Sequence, residues 1–303
     1  MSNARRRSEC SVPDGANTCA VFVLYYPSEQ FAANLLGILQ QVAHAIVVDN
    51  TPATAGSMLP CLSHHQVTCI VNGRNLGIAT ALNQGLDAAL AMGFAWALTF
   101  DQDSAAKPNA LRILSAITQR AYATGPVGCV GSNYCFPDSA AGRFKTRAAL
   151  YDSVDEVITS GALTSVAAWR RVGRFWDELF IDAVDAELCM RLRALGYQVL
   201  LSADVLLLHQ QGGAPDALSF FGRRMYSTRL TPLRRYYIAR NRILVARRHH
   251  RPLPVYRFFR DDILPVLLGT NRIRKLQGVA LGLVDGFRGI AGQASADRTA
   301  TLS

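Results

Sequence analysis

The chain has 303 residues, of which half are hydrophobic and 18% charged, enough apolar material for a sizeable core and too much for a disordered chain. No stretch reaches the roughly 18–20 uninterrupted apolar residues that a membrane span needs. The net charge of +10 is unevenly placed: residues 220–303 hold 17 basic and 4 acidic groups, whereas residues 1–219 hold 15 and 18. A basic segment of that kind attracts phosphate, on nucleic acid or on an anionic membrane.

In chain order, Arg5-Arg6-Arg7 opens a polar stretch with no apolar core and does not read as a signal peptide; residues 1–17 read as a loose tail. Thr18–Tyr26 is a continuous apolar run ending at Pro27 and predicts a buried strand. Residues 30–42 carry a helical apolar stripe. Residues 45–48 and 66–71 predict two further strands, residues 77–91 an alanine-rich helix, residues 94–100 a fourth strand, residues 108–121 a helix and residues 127–131 a fifth strand. Alternation of this kind predicts an α/β layer with a mostly parallel sheet and helices on both faces. Right-handed crossovers put all the strand ends on one edge, where ligands bind in open sheets. The polar clusters Asp49-Asn50, Arg74-Asn75 and Asp101-Gln102-Asp103 all follow strands, so they converge there.

Beyond residue 133 the runs shorten. Residues 181–195 predict a helix, residues 197–201 and 205–208 two short strands, and residues 214–232 a polar, irregular stretch. Residues 234–248 predict a strongly basic helix, and residues 252–291 two amphipathic segments broken at Pro265 and Gly269. The seven cysteines form no CxxC pair and are odd in number, which predicts buried thiols in a reducing compartment. The three regions expected are a disordered tail (1–17), a catalytic domain (18–232, its halves meeting near 131) and a basic helical region (233–303).

Asp101-Gln102-Asp103 is the sharpest chemical feature. Two carboxylates in a loop at a strand exit offer the hard oxygen ligands that Mg²⁺ prefers. The bland alternative is a solvated turn in which Asp103 or Ser104 caps the next helix. Around Arg74, Asn75 and Gly77 a helix start offers backbone N–H groups to phosphate. No GxGxxG, GxxxxGK[ST], GxSxG or HExxH pattern occurs, which removes support from dehydrogenase and P-loop readings and leaves those hydrolase motifs without a match. Asp182 and Asp185 lie three apart at a helix start; either suits a general base, and Asp182 also suits the helix dipole. Glu187 has Arg191 at i+4 and reads as a surface pair. His209 ends an apolar run and suits either a structural role or a metal or diphosphate contact. Residues 233–241 interleave Arg234, Arg235 and Arg240 with Tyr236 and Tyr237, a mix that suits phosphate, sugar stacking or a membrane surface.

The pieces VVDN, NxGIAxAxNxG, DQDS, SGxL, FIDxVDxE, a strand-end His and RRYYxARN occur in that order over residues 19–290. Together they resemble family 2 glycosyltransferases with a GT-A fold, and the DQDS, FIDxVDxE and RRYYxARN forms, with LGLVDGFRG near the end, are similar to the rhamnosyltransferase subgroup. The resemblance implies a Rossmann-like sheet followed by C-terminal amphipathic helices. It implies that Tyr25, Asp49, Asn50, Arg74, Asn75, Asp101 and Gln102 line the donor nucleotide site, that Asp103 and His209 hold Mg²⁺ or Mn²⁺, and that Asp185 is the catalytic base. Ser160, Gly161, Asp182, Arg235 and Tyr236 are expected on the acceptor side or remain unassigned. Gln102 in the middle of the motif fits rhamnosyl enzymes; Val184, where many relatives have Glu, leaves base duty to Asp185 with Asp182 as competitor.

The reaction so implied is inverting transfer of L-rhamnose from dTDP-L-rhamnose to a hydroxyl of an amphiphilic glycolipid acceptor. The expected acceptor is a mono-rhamnolipid, giving a di-rhamnolipid. The alternatives are a lipid-linked O-antigen or cell-surface polysaccharide acceptor, or a UDP-hexose donor. The expected location is the cytoplasm, peripheral on the inner face of the inner membrane through its anionic surface. A nucleic-acid partner is not expected, because the positive charge is confined to one end; a nucleic-acid-binding module and an inactive scaffold are the non-enzyme readings.

Overall fold

A computed structural model describes residues 11–55, 64–135, 150–209, 216–220, 223–227, 230–252 and 258–302. The chain forms two compact units. One comprises the chain up to Asp177 together with 184–211; the other comprises 178–183 and 212–303.

The first unit is built on a sheet. β1 (Thr18–Leu24) is buried along its whole length, as its run of β-branched, aromatic and small residues requires. α1 (Gln30–Leu39) returns the chain to β2 (His44–Asp49), and β3 (Val67–Val71) follows on the outer edge. α2 (Ile78–Ala91) crosses to β4 (Trp96–Asp101). The short β5 (Ser104–Ala106) leads to α3 (Ala110–Ala121) and β6 (Val127–Cys135). β7 (Tyr151–Ser153), β8 (Ala162–Ser165), α4 (Val166–Arg171), α5 (Val184–Ala194) and β9 (Gln198–His209) complete the unit. The strand order is β3-β2-β1-β4-β8-β6-β9-β5, with β7 also pairing β9. β3, β2, β1 and β4 are parallel, as are β6 and β9; β8, β5 and β7 run against their neighbours. The mostly parallel expectation holds for the nucleotide half and gives way to a mixed sheet beyond it.

Helices cover both faces. One face packs Ala20, Phe22 and Leu24 of β1 with Phe31, Leu35 and Ile38 of α1 and Leu111, Leu114 and Ile117 of α3. α2 packs on β1 and β2 from the other side, through Leu82 and Leu86. Each such buried side chain contributes about 1.5–3 kcal/mol of apolar burial.

Several sequence expectations change here. The loose tail expected through residue 17 ends earlier, because Trp96 Nε1 donates to Ser11 O at 2.9 Å, Ser115 Oγ to Pro13 O at 2.5 Å and Asn17 Nδ2 to Val12 O at 2.9 Å. Residues 1–10 lie outside the described residues, as do 136–149, where short alternating runs were expected. The two strands expected at 197–208 are one strand, β9. Its polar centre stays in the sheet because Ser202 is fully buried and the strand is paired on both sides, by β6 and by β7. Ser104 does not cap a helix; it opens β5, and α3 begins six residues later.

The second unit is built on helices. The stretch read as irregular at 214–232 contains an antiparallel pair, β10 (Asp216–Phe220) and β11 (Arg223–Ser227), with Leu218 opposite Met225. α6 (Pro232–Arg248) is capped by Thr231, whose side chain accepts from Arg234 N. Phe259–Ile263 is a π-helical stretch that runs directly into α7 (Leu264–Leu268), so Pro265 lies where the wider helix gives way to α-helix, and Gly269 ends it. α8 (Arg272–Arg288) packs along α6, and α9 (Ala296–Leu302) closes the chain. The α6–α8 crossing is close because Gly278, Gly282 and Gly286 form one stripe. A Cβ at Gly278 would lie 2.3 Å from Pro232 O, and one at Gly282 2.3 Å from Tyr236 O. Among the described residues, no helix is long and apolar enough to cross a membrane.

Candidate active site

The parallel register brings the polar clusters to one edge. Leu24 pairs with Asp49, Val23 with Asp101 and Asp49 with Val71. Tyr25, Asn50, Asn72–Asn75 and Gln102 therefore leave adjacent strands at the same end. Tyr25 and Tyr26 are 46% and 54% exposed there and meet edge to face at 4.7 Å. Arg74 is exposed, and Asp101, Gln102, Asp103 and Asn75 are half-buried.

Beneath these groups the loops are fastened to one another. Gln102 Oε1 accepts from Tyr25 N at 2.7 Å and Gln102 Nε2 donates to Tyr25 O at 3.1 Å. Its amide thus extends the β1–β4 ladder by one rung, so the side chain expected against the nucleotide holds Tyr25 instead. Asn34 Nδ2 donates to Gln102 O at 3.3 Å. Asp49 is buried, and its Oδ1 accepts from Thr51 N at 2.8 Å, fixing the turn after β2. Thr51 Oγ1 in turn accepts from Tyr26 N at 3.0 Å. Asn50 is also buried; it donates to Gly77 O at 3.0 Å and accepts from Asn72 Nδ2 at 2.8 Å, and Asn72 exchanges two hydrogen bonds with Gln84. Asn75 Oδ1 accepts from Gly77 N at 2.9 Å at the start of α2.

Ser160 and Gly161, left on the acceptor side or unassigned, support the acidic loop. Ser160 Oγ accepts from Asp101 N at 3.2 Å and donates to Ser104 Oγ at 2.8 Å, so one buried hydroxyl ties both ends of the DQDS turn. Gly161 N donates to Thr99 O at 2.7 Å. Its φ of +74° and a Cβ position 3.0 Å from the Ser132 Cβ explain why glycine stands here. In the sheet, Ser104 lies opposite His209, so the backbone of the strand-end histidine runs beside the acidic loop.

Asp185 sits half-buried in the first turn of α5, in the same unit, with its Oδ1 accepting from Ala186 N at 2.9 Å. Glu187 is not in a surface pair. It is fully buried, and Arg191 bonds it through Nε at 2.8 Å and Nη2 at 2.5 Å while also donating to Val172 O and Arg174 O. Asn83, from the same motif as Asn75, is an interior hub: it takes Trp169 Nε1 and Phe175 N and donates to Phe175 O and Asp177 Oδ1.

In the second unit Asp182 is engaged by Arg234, through Nε at 2.6 Å and Nη2 at 2.8 Å. Burial pushes its carboxyl up, and the Arg234 and Arg235 charges pull it back. This fork-to-fork pairing removes Asp182 as the competing base. Arg235 and Tyr236, considered for acceptor binding, are 2% and 1% exposed. Arg235 faces Asp262, and Tyr236 donates to Asp285 Oδ2 at 2.9 Å, so neither can meet an acceptor. The basic aromatic surface expected at RRYYxARN is therefore an interior. Arg240, fully buried, lies over the rings of Tyr236 and Tyr237 at 5.5 and 4.9 Å. Asn241 is the residue that sequence reasoning passed over, and Arg240 was read as surface; the signal against that was the opposing glycine stripe on α8, which demands a closely packed partner helix.

Comparison with known proteins bears on this edge of the sheet. The pattern of Glycosyl transferase family 2 matches residues 21–158, the segment that carries β1 to β7 and the DQDS loop. The chain thus carries a segment that matches the family 2 glycosyltransferase pattern. The chain is 29% identical over 296 residues to the dTDP-rhamnosyl transferase RfbF of Shigella flexneri, covering 91% of this chain and 97% of that protein. Its fold is similar to S. aureus TarS 1-349 (TM-score 0.51, 14% identity, 90% of this chain and 72% of that one). It is also similar to GalNAc-T7 with UDP, GalNAc and Mn2+ (TM-score 0.57, 10% identity, 90% and 56%). The GT-A expectation for the first unit is met.

The DQDS loop suits a divalent cation by the chemistry of its donors, two carboxylates held half-buried on a fixed turn. Among the described residues there is no group of three or more His, Cys, Asp or Glu side chains that could hold a metal.

Proposed function

We propose that this chain is a family 2 transferase that moves L-rhamnose from dTDP-L-rhamnose to an acceptor hydroxyl with inversion. The observation that carries the reading is the DQDS turn, locked by Gln102 and Ser160 beside the exposed Tyr25 and Arg74, in a chain related along nearly its whole length to a dTDP-rhamnosyl transferase. Tyr25 offers a face for the base, Arg74 a charge for the nucleotide, and Asp101 and Asp103 the acidic ligands. Asp185 accepts the proton of the acceptor hydroxyl; its oxygen forms the new bond to C1 as the C1–phosphate bond breaks and dTDP departs. General-base help of this kind is worth roughly 10²–10⁴-fold. Asp103 would hold Mg²⁺ or Mn²⁺, with His209 as the further ligand that the resemblance implies, and the ion would supply neutralising charge for the diphosphate.

For the acceptor, the saccharide reading gains over the mono-rhamnolipid, because the full-length relative is the dTDP-rhamnosyl transferase RfbF. We therefore favour a lipid-linked cell-surface glycan. Attachment to an anionic membrane surface is supported by the outer face of α8. Ile273 (84% exposed), Val284 and Phe287 (63% exposed) share that face, and Arg272, Arg274 and Arg288 lie at the two ends of the helix. The test incubates the protein and dTDP-L-rhamnose with each acceptor in turn and weighs the products. Rhamnose added to the glycan, lost in Asp185→Asn while donor binding persists, supports the reading. Full activity in Asp185→Asn rejects the base, and transfer only to mono-rhamnolipid rejects the acceptor.

A further inference from the structure

The turn after β1 holds Tyr25 and Tyr26, whose rings meet edge to face at 4.7 Å and keep about half their surface in solvent. Tyr26 has a φ of +53°, a left-handed conformation that a residue with a Cβ keeps only where its neighbours hold it. Side chains from two other strand ends hold this turn. Thr51, after β2, accepts from Tyr26 N at 3.0 Å. Gln102, after β4, takes both backbone polar groups of Tyr25: Oε1 accepts from Tyr25 N at 2.7 Å and Nε2 donates to Tyr25 O at 3.1 Å. Gln102 is anchored in its turn. Asn34 Nδ2 donates to its carbonyl at 3.3 Å, and the preceding Asp101 N donates to the buried Ser160 Oγ at 3.2 Å. Because Gln102 stands between Asp101 and Asp103, the amide that grips Tyr25 belongs to the acidic loop itself.

Such a link sets a spacing. A nucleoside diphosphate carries its base and its diphosphate at opposite ends of one ribose. A site that meets both ends binds best when the receiving groups already stand at that separation, because less is left to order on binding. Glutamine suits this task and an acid does not. Its amide sets an acceptor beside a donor, matching the N–H and C=O of Tyr25, whereas a carboxylate would set an acceptor against Tyr25 O. We propose that Gln102 is a positioning residue for the donor, acting through Tyr25: its amide fixes the aromatic turn at a set distance from the acidic loop, so that the base and diphosphate of a nucleoside-diphosphate sugar are received together. This rests on the reading of this edge as the donor site, and it gives Gln102 no contact with donor or cation.

The test is a double-mutant cycle on the full chain, read as calorimetric Kd for dTDP-L-rhamnose with and without Mg²⁺. Tyr25→Ala is expected to raise Kd about 5–100-fold, the usual worth of a base on an aromatic face. Gln102→Ala is expected to raise it about 3–10-fold, the cost of ordering a released turn. In a Tyr25→Ala background Gln102→Ala should add no more than about twofold, since no ring is left to place. Gln102→Ala should raise Kd by the same factor with and without Mg²⁺, whereas loss of a cation ligand would remove the Mg²⁺ dependence. Gln102→Glu should bind no better than Gln102→Ala. Hydrogen exchange at the Tyr25 amide should quicken in Gln102→Ala while that at Val23 stays slow, a pattern that a loss of overall stability would not give. Additive costs of Tyr25→Ala and Gln102→Ala, a lost Mg²⁺ dependence in Gln102→Ala, wild-type affinity in Gln102→Glu, or unchanged exchange at Tyr25 each overturn the inference while leaving the donor site in place. A wild-type chain that binds no dTDP-L-rhamnose overturns the donor reading, and the inference with it, a distinct result.

Discussion

The carboxyl edge of the sheet and the interior of the helical unit use similar residues to opposite ends. At the edge, Tyr25, Arg74, Asp101 and Asp103 keep surface toward solvent, and buried neighbours such as Asn50, Ser104 and Ser160 hold their loops. In the helical unit, Arg235, Tyr236, Arg240 and Asn241 have almost no surface, and Arg240, Tyr236 and Asn241 are tied by hydrogen bonds to carbonyls or acids of the same unit. Charge and aromatic content do not distinguish a ligand-facing loop from a buried brace. What distinguishes them is the element: strand ends leave side chains at an edge, whereas a helix facing a glycine stripe buries whatever it carries.

The contrast can be broken in graded ways. Asp103→Ala at the edge should have the largest effect, removing metal-dependent donor binding and lowering activity at least about 100-fold while the melting temperature stays near wild type. Calorimetry with and without Mg²⁺, beside a thermal melt, checks both halves. In the helical unit the signature reverses: Gly282→Val, whose side chain meets Tyr236 O, should cost about 1–3 kcal/mol of stability or more before any donor effect appears. A melt unchanged by Gly282→Val would show that the crossing is looser than described. Arg74→Ala should weaken donor binding severalfold and move stability by no more than about 0.5 kcal/mol, since the side chain is exposed.

A last expected effect, seen only at alkaline pH, concerns thiols on the strands of the sheet. Burial pushes the Cys19 thiol up to about 12 and that of Cys129 to about 11, whereas Cys69 is exposed. The folded chain keeps protons that the unfolded chain releases above its ordinary value of 9.0. Stability therefore falls as pH rises through 9, by about 1.4 kcal/mol per pH unit for each such thiol, until the folded values are reached. Iodoacetamide at pH 9 should label Cys69 on the native protein and Cys19 and Cys129 only after unfolding; equal rates would contradict the burial.

Much of this was legible in the sequence for a physical reason. Continuous apolar runs such as Thr18–Leu24 announce buried parallel strands, and the polar residues that follow them must gather at one edge. Asp101 and Asp103 were placed at that edge by the same reasoning. Gln102 was misplaced because nothing local says that its amide pairs with the backbone of Tyr25, 77 residues away. Glu187 and Arg191 look like any surface pair at i+4, and only packing against Val172 and Arg174 makes them an interior clamp. RRYYxARN looked like a surface because its composition is basic, yet the stripe Gly278–Gly282–Gly286 that buries it was present in the same sequence. The β10–β11 pair escaped because its strands lack clean alternation.

The central claim is that the edge built around Asp101–Asp103 receives dTDP-L-rhamnose. Calorimetric titration of the purified chain with dTDP-L-rhamnose, UDP-glucose and UDP-galactose, each with and without Mg²⁺, tests it most directly. The account predicts metal-dependent binding of dTDP-L-rhamnose well above either UDP-sugar. Preference for a UDP-sugar, or no binding of any donor with the metal present, would contradict it.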